Sequence, residues 1–221
     1  ALSTLDNLPG GGSVAAILGR LQPQEPISVG SVRLPHPLIL SAGLVKGTGF
    51  DNEAKAVQAV QAGRNIIPGW RTMPQLAGPV EFGSYTRHPR LGNPGRVLWR
   101  DAVTRSTQNR IGLKNPGAVA AAQFLKHHID DLPPIYGINI AVSPGVTDPA
   151  QEQQEAVEAL SAFLDAGVRP SWFTLNLSCH NTEDDPSGNQ TTDKARQLCG
   201  SLVPVAGDVP LWVKVGPGLG D

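Results

Sequence analysis

Residues 135–178 run Ile135-Tyr-Gly-Ile-Asn-Ile-Ala-Val142, a short polar break, an amphipathic segment from Asp148 to Gly167, and then Trp172-Phe-Thr-Leu-Asn-Leu-Ser178. The two apolar runs have strand length and are rich in β-branched and aromatic residues. Between them, Asp148 is placed to cap a helix, Pro149 to open it and Gly167 to end it, with Leu160, Phe163 and Leu164 on one face. Strand, helix, strand in this order predicts parallel strands joined by a crossover helix, and the fold class is α/β.

The same alternation extends in both directions. Pro37-Leu-Ile-Leu-Ser-Ala-Gly43 reads as the first strand, and a helix follows from about 51 to 62, with Ala54, Ala56, Val57 and Val60 on its face and Gly63 as its stop. Asn65-Ile-Ile-Pro-Gly69 reads as a short second strand, shortened because Pro68 lacks a ladder donor. Residues 70–109 show no sustained period, and so long a loop in a compact domain is read as functional. Pro116 opens a helix to about His128, another helix covers about Thr192 to Val205, and Leu211-Trp-Val-Lys-Val215 is the fifth strand. Five such units begin a (β/α)8 barrel or make up most of an open doubly wound sheet. Polar clusters at the carboxyl ends of the strands, at 41–46, 69–72, Asn139, 176–181 and Lys214, favour one site on a barrel rim. The expected division is an N-terminal extension over 1–30 and a partial barrel over 31–221.

Composition removes several classes of function. Among 221 residues, 18 Lys and Arg face 19 Asp and Glu, a net charge of −1 that suits neither nucleic acid nor an anionic membrane surface. Hydrophobic residues at 40% against 17% charged can build a core, and 25 Gly with 20 Pro speak for many turns. Two cysteines are too few for a disulfide framework and lack metal spacing, so no metal and a cytoplasmic setting are expected. No apolar run approaches the roughly 20 residues of a membrane span, and residues 1–30 show no convincing membrane-binding amphipathic helix.

The densest chemistry is Asn176-Leu-Ser-Cys-His-Asn-Thr182, which leaves a buried strand. Asn176 and Asn181 each offer a donor pair and an acceptor to a planar polar ligand, and Cys179 beside it could serve as nucleophile or base. A capped turn with an inert cysteine is an equal alternative at this point. Asn109-Arg-Ile-Gly-Leu-Lys-Asn-Pro-Gly117 is a second candidate, where glycine permits close backbone approach, although read by itself it is better explained as a turn before a helix. Lys46, after Ser41-Ala42-Gly43, can bind an anionic substrate or a cofactor oxygen, although most lysines so placed are simply solvated. Lys214 lies within an otherwise apolar strand, where a charge is costly unless paired, so it is expected beneath a cofactor.

Taken in order, these segments resemble the dihydroorotate dehydrogenase family of flavin enzymes. The resemblance rests on Ser41-Ala-Gly-Leu-Val-Lys46, Asn109-Arg-Ile-Gly-Leu-Lys-Asn115, Gly137-Ile-Asn-Ile140, Asn176-Leu-Ser-Cys-His-Asn-Thr182 and Val213-Lys-Val215. It departs at His180, where a proline is usual, and at Leu113, where an aromatic is frequent. It implies a barrel with FMN over its carboxyl rim, contacted by Ala42, Gly43, Lys46, Thr72, Asn139, Asn176 and Lys214. Lys46, Asn109, Asn176 and Asn181 would hold the pyrimidine, and Cys179 would be the base in the oxidation of dihydroorotate to orotate. The electron acceptor is left open.

Barrels of that family continue through three more strands, so the chain is expected to be part of a longer polypeptide or to be completed by another chain, a second copy included. Two rival functions are a related pyrimidine-reducing flavin barrel, such as a dihydropyrimidine dehydrogenase-like or dihydrouridine synthase-like protein, and a non-catalytic half-barrel acting in protein association.

Overall fold

The computed structural model describes residues 2–19, 25–179 and 190–216. Four strands form one parallel sheet: β3 (Val80–Tyr85), β6 (Tyr136–Ala141), β7 (Trp172–Asn176) and β8 (Leu211–Lys214). Leu40 extends it by a parallel bridge to Val80, fixed by Leu40 N–H donating to Pro79 O and Glu81 N–H to Leu40 O, both at 2.9 Å. The strand expected over 37–43 is thus reduced to one rung.

The winding separates the two α/β alternatives. Each strand pairs with its predecessor in the chain and the order never reverses, whereas a doubly wound sheet turns back at a switch point. Helices α3 (Glu53–Gln61), α5 (Ala118–His127), α6 (Pro149–Asp165) and α7 (Thr192–Ala206) pack side by side in chain order over one face. Phe82, Ile138, Ile140, Phe173 and Leu175 point into this layer and are fully buried against Leu125, Leu160 and Phe163. The alternate residues, Glu81, Gly137, Asn139, Trp172, Thr174 and Asn176, lie on the opposite, concave face. A sheet wound in one direction, with helices outside and polar residues inside, is the build of a (β/α)8 barrel.

The helices follow their punctuation. Asp148 Oδ1 accepts from Ala150 N–H at 3.1 Å, Pro149 opens α6, and Gly167 ends it at φ +80°. In α3 the cap is Asn52, whose side chain accepts from Lys55 N–H at 2.9 Å. Arg87, just beyond β3, pairs with Glu53 of α3 and with Glu158 of α6, tying two helices to one strand end.

Two expectations are corrected. Asn65-Ile-Ile-Pro-Gly69 is not a strand; Ile66 and Ile67 are buried under a turn, and Thr48 N–H donates to Ile66 O at 2.8 Å. The second strand is instead β3, inside the stretch expected to be an aperiodic loop. That stretch also holds α4 (Thr72–Ala77) and an antiparallel hairpin of β4 (Leu98–Asp101) with β5 (Ser106–Asn109).

At the N-terminal end of the strands, the hairpin of β1 (Ile27–Val29) and β2 (Val32–Leu34) closes the concave face. Val32 and Leu34 pack on Trp172 with Ile39, Ile135 and Trp212, and the two indoles stack at 4.6 Å. The hairpin turns at Gly30, φ +59°, so the expected division between 30 and 31 cuts through one structural unit. Before it, α1 (Leu2–Asn7) and α2 (Gly11–Gly19) dock onto α4. Among the described residues no helix is long and apolar enough to cross a membrane.

Asp6 anchors this docking. Buried on α1, its carboxylate accepts from Gly69 N–H (2.6 Å), Thr72 N–H (3.2 Å), Thr72 Oγ1 (2.9 Å) and Asn65 Nδ2 (3.0 Å). Asp6→Ala would strand four donors, two of them backbone, at a cost of about 3 kcal/mol. The expected result is a melting temperature lowered by roughly 6–12 °C, with new protease cleavage between residues 7 and 25 in the native protein.

Candidate active site

A cleft of about 350 Å³ opens at the carboxyl ends of the parallel strands. Its lining draws together distant segments: Ala42, Gly43 and Lys46 after the first rung, Ser84 at the end of β3, and Leu98 and Asn109 at the hairpin base. Ile111, Gly112 and Leu113 follow the hairpin, Asn176, Ser178 and Cys179 end β7, and Lys214 ends β8. Expected site residues Ala42, Gly43, Lys46, Asn109, Asn176, Cys179 and Lys214 therefore converge on one cavity.

Asn176 organises the wall. Its Nδ2 donates to Ser84 Oγ at 3.0 Å, while Oδ1 accepts from Ser178 N–H at 3.1 Å and Ser178 Oγ at 3.4 Å. This Asx-type closure holds the segment leading to Cys179 and links β7 across the interior to β3. Asn176 is only 3% exposed, so its amide positions neighbours at least as much as it meets a ligand.

Lys46 is largely withdrawn from water, and burial holds its ammonium below the ordinary lysine range. The neighbouring Cys179 side chain acts on it in the opposite direction, and Lys114 reinforces the lowering. The sulfur and the amine line the same cleft.

Leu113 adopts φ +52° directly after Gly112 at φ +70°, and Leu113 is buried. A branched side chain in the left-handed region is costly and persists only where its surroundings enforce it. Here Asn115 does so. Wholly buried, it donates from Nδ2 to Leu113 O (2.7 Å) and Thr86 Oγ1 (3.0 Å), and accepts at Oδ1 from Gly117 N–H (2.8 Å).

Four expected residues stand differently. Thr72 is not in the cleft; its hydroxyl and amide are both spent on Asp6, and Ser84 is the strand-end hydroxyl that lines the cavity. Asn139 lies beneath the cleft, not in its wall, fully buried with Nδ2 donating to Glu81 Oε1 at 2.6 Å. Lys214 lines the cleft from the end of the outermost described strand, exposed and with no ion pair among the described residues. Asn181 lies outside the described residues, as does His180. Ser84, Leu98 and Ile111 were not anticipated; the signal for Ser84 was the strand Val80-Glu-Phe-Gly-Ser-Tyr85, hidden by its own polar interior residues.

The family model described as dihydroorotate dehydrogenase matches residues 27–221. The chain belongs to the dihydroorotate dehydrogenase family. Curated relatives named dihydroorotate dehydrogenase (quinone) include that of Mycobacterium bovis (strain BCG / Pasteur 1173P2), 31% identical over 205 residues, covering 93% of this chain and 50% of the relative. That of Clavibacter michiganensis is 31% identical over 214 residues, covering 96% of this chain and 55% of the relative. The chain thus spans about half the length of the curated relatives it matches. The crystal structure of a dihydroorotate dehydrogenase from Eimeria tenella in complex with ferulenol superposes with a TM-score of 0.67 at 20% identity, covering 95% of this chain and 58% of that one. This likeness shows the fold: the chain supplies the first five strand positions of a (β/α)8 barrel, with β3 at 80–85 in place of the expected 65–69.

Proposed function

We propose that this cleft is where dihydroorotate is oxidised to orotate in pyrimidine biosynthesis, with FMN as the bound cofactor. The observation that carries it is convergence. In a chain of this family, Lys46, Ser84, Asn109, Asn176, Cys179 and Lys214 come from five separate segments to one polar cavity at the strand carboxyl ends.

The residues present suit a flavin. Gly43, at φ +132°, has open space where a side chain would be, so a planar ring can approach the backbone there. Lys46 and Lys214 offer positive charge to ring or substrate oxygens, and Ser84 offers a hydroxyl. When bound, FMN would supply the hydride acceptor.

The chain's own groups do the rest. Asn109, at the hairpin base, and Asn176 would orient the pyrimidine, with Asn181 a further contact outside the described residues. Cys179 would take the proton from C5, while the hydride leaves C6, so that the electron pair of the C5–H bond forms the C5=C6 double bond of orotate. The curated relatives are named for quinone, which makes a quinone the first acceptor to assay.

The test is the visible spectrum of the purified chain after addition of FMN and then dihydroorotate without oxygen. The expected result is a flavin band that stays with the protein through gel filtration and bleaches with dihydroorotate but not with dihydrouracil. Equal bleaching by both would favour the dihydropyrimidine dehydrogenase-like reading. A chain that never retains FMN would sink the assignment of this cleft.

A further inference from the structure

Beneath the cleft, Glu81 projects from β3 into the barrel interior and is 8% exposed. Three side chains of two other strands converge on its carboxylate: Asn139 Nδ2 on Oε1 at 2.6 Å, Thr174 Oγ1 on Oε2 at 2.8 Å and Trp172 Nε1 on Oε2 at 3.2 Å. Amide and indole nitrogens only donate, and one reaches each oxygen, so both oxygens act as acceptors. No lysine, arginine or histidine pairs with Glu81 among the described residues.

This arrangement decides which way Asn139 faces. With Nδ2 given to Glu81, the amide oxygen of Asn139 turns away from it. That oxygen, Oδ1, is buried and has no partner among the described residues. Buried carbonyl oxygens left unpaired are uncommon and call for an explanation. Asn139 sits opposite Gly83, where a side chain would come within 2.6 Å of the Asn139 backbone oxygen, and the next residue, Ser84, lines the cleft. The unpaired acceptor is therefore one residue step from the cavity wall.

We propose that Glu81 is a positioning residue for the cofactor site: it locks the Asn139 amide so that Oδ1 is kept as an acceptor for an N–H or O–H of the bound flavin. The proposal rests on the flavin reading above. An amide free to flip there would accept or donate equally well; one held by Glu81 selects a donor.

The experiment titrates FMN with the full chain, following quenching of flavin fluorescence. Four proteins are compared: wild type, E81Q, Thr174→Val and the exchanged pair E81Q/N139D. In E81Q the glutamine oxygen stays with Trp172 Nε1, which can only donate, so the new NH2 group faces Asn139 and turns its amide round to present Nδ2 instead of Oδ1, and binding is expected to weaken tenfold or more. Thr174→Val removes a donor from Glu81 without touching Asn139 and is expected to stay within threefold of wild type. The exchanged pair restores one donor and one acceptor across the same gap, keeps the net charge and leaves an acceptor at position 139, so it is expected to return to within threefold. E81Q binding as wild type does would overturn the proposal, and so would an exchanged pair that is folded by circular dichroism yet fails to recover FMN. That second arm stands even if E81Q alone does not fold. Wild type failing to bind FMN would instead overturn the flavin reading itself, and the proposal with it.

Discussion

Replacing Cys179 with alanine is expected to slow reduction of the bound flavin by dihydroorotate by about 10²–10⁴-fold, the usual contribution of one positioned base. Cys179 follows Ser178, which Asn176 holds at both its amide and its hydroxyl, so the sulfur is presented by an ordered segment at the end of β7. It lines the cleft together with the half-buried Lys46. The loss should fall on the chemical step: FMN affinity and orotate affinity are expected to stay within about threefold, because the wall made by Ser84, Asn176 and Ser178 is untouched. Cys179→Ser is expected to be intermediate, keeping a proton acceptor in place. Alkylation gives an independent check. Iodoacetamide should block flavin reduction and orotate should protect, whereas Cys199, on α7, has its thiol pushed up by burial and should react more slowly. Wild-type rates of flavin reduction in Cys179→Ala would refute the assignment of the base.

What the sequence disclosed depended on whether local chemistry and tertiary environment agreed. Asp148, Pro149 and Gly167 act within one helix, so their roles were legible without knowing the fold. β6 and β7 were legible because every outward residue is apolar and the runs are unbroken. β3 was not: Val80-Glu-Phe-Gly-Ser-Tyr85 places a carboxylate, a glycine and a serine in its six residues, and only the partners Asn139, Trp172 and Thr174, far away in sequence, make Glu81 tolerable in a buried strand. The same blindness moved the strand-end hydroxyl of the site from Ser84 to Thr72. Cys179, Lys46 and Asn109 could be found because their segments carry recognisable motifs, yet nothing local shows that they share a cavity.

Gly137→Ala is expected to destabilise the chain by about 4 kcal/mol, lowering the melting temperature by roughly 8–16 °C. The backbone at Gly137 is not in the left-handed region, and alanine in place of glycine would by itself favour a strand slightly. The penalty is volume. A methyl there would lie 2.2 Å from Cε2 and 2.3 Å from Nε1 of Trp172, against the roughly 3.5–4.0 Å of a normal carbon contact. Trp172 cannot step aside: it is fully buried, stacks on Trp212 at 4.6 Å and donates to Glu81 at 3.2 Å. Moving the indole would open the plug made with Val32 and Leu34 and leave a buried carboxylate oxygen short of a donor. If this is the cause, Trp172→Leu, itself destabilising through the cavity it leaves, should cost less in the Gly137→Ala background than alone, since the methyl then fills space the indole has vacated. Additive losses in urea unfolding of the two single variants and the double variant would place the effect elsewhere. The barrel floor and the cleft are thus coupled through one residue, because the Glu81 carboxylate that receives the Trp172 indole also receives Asn139, directly under the site.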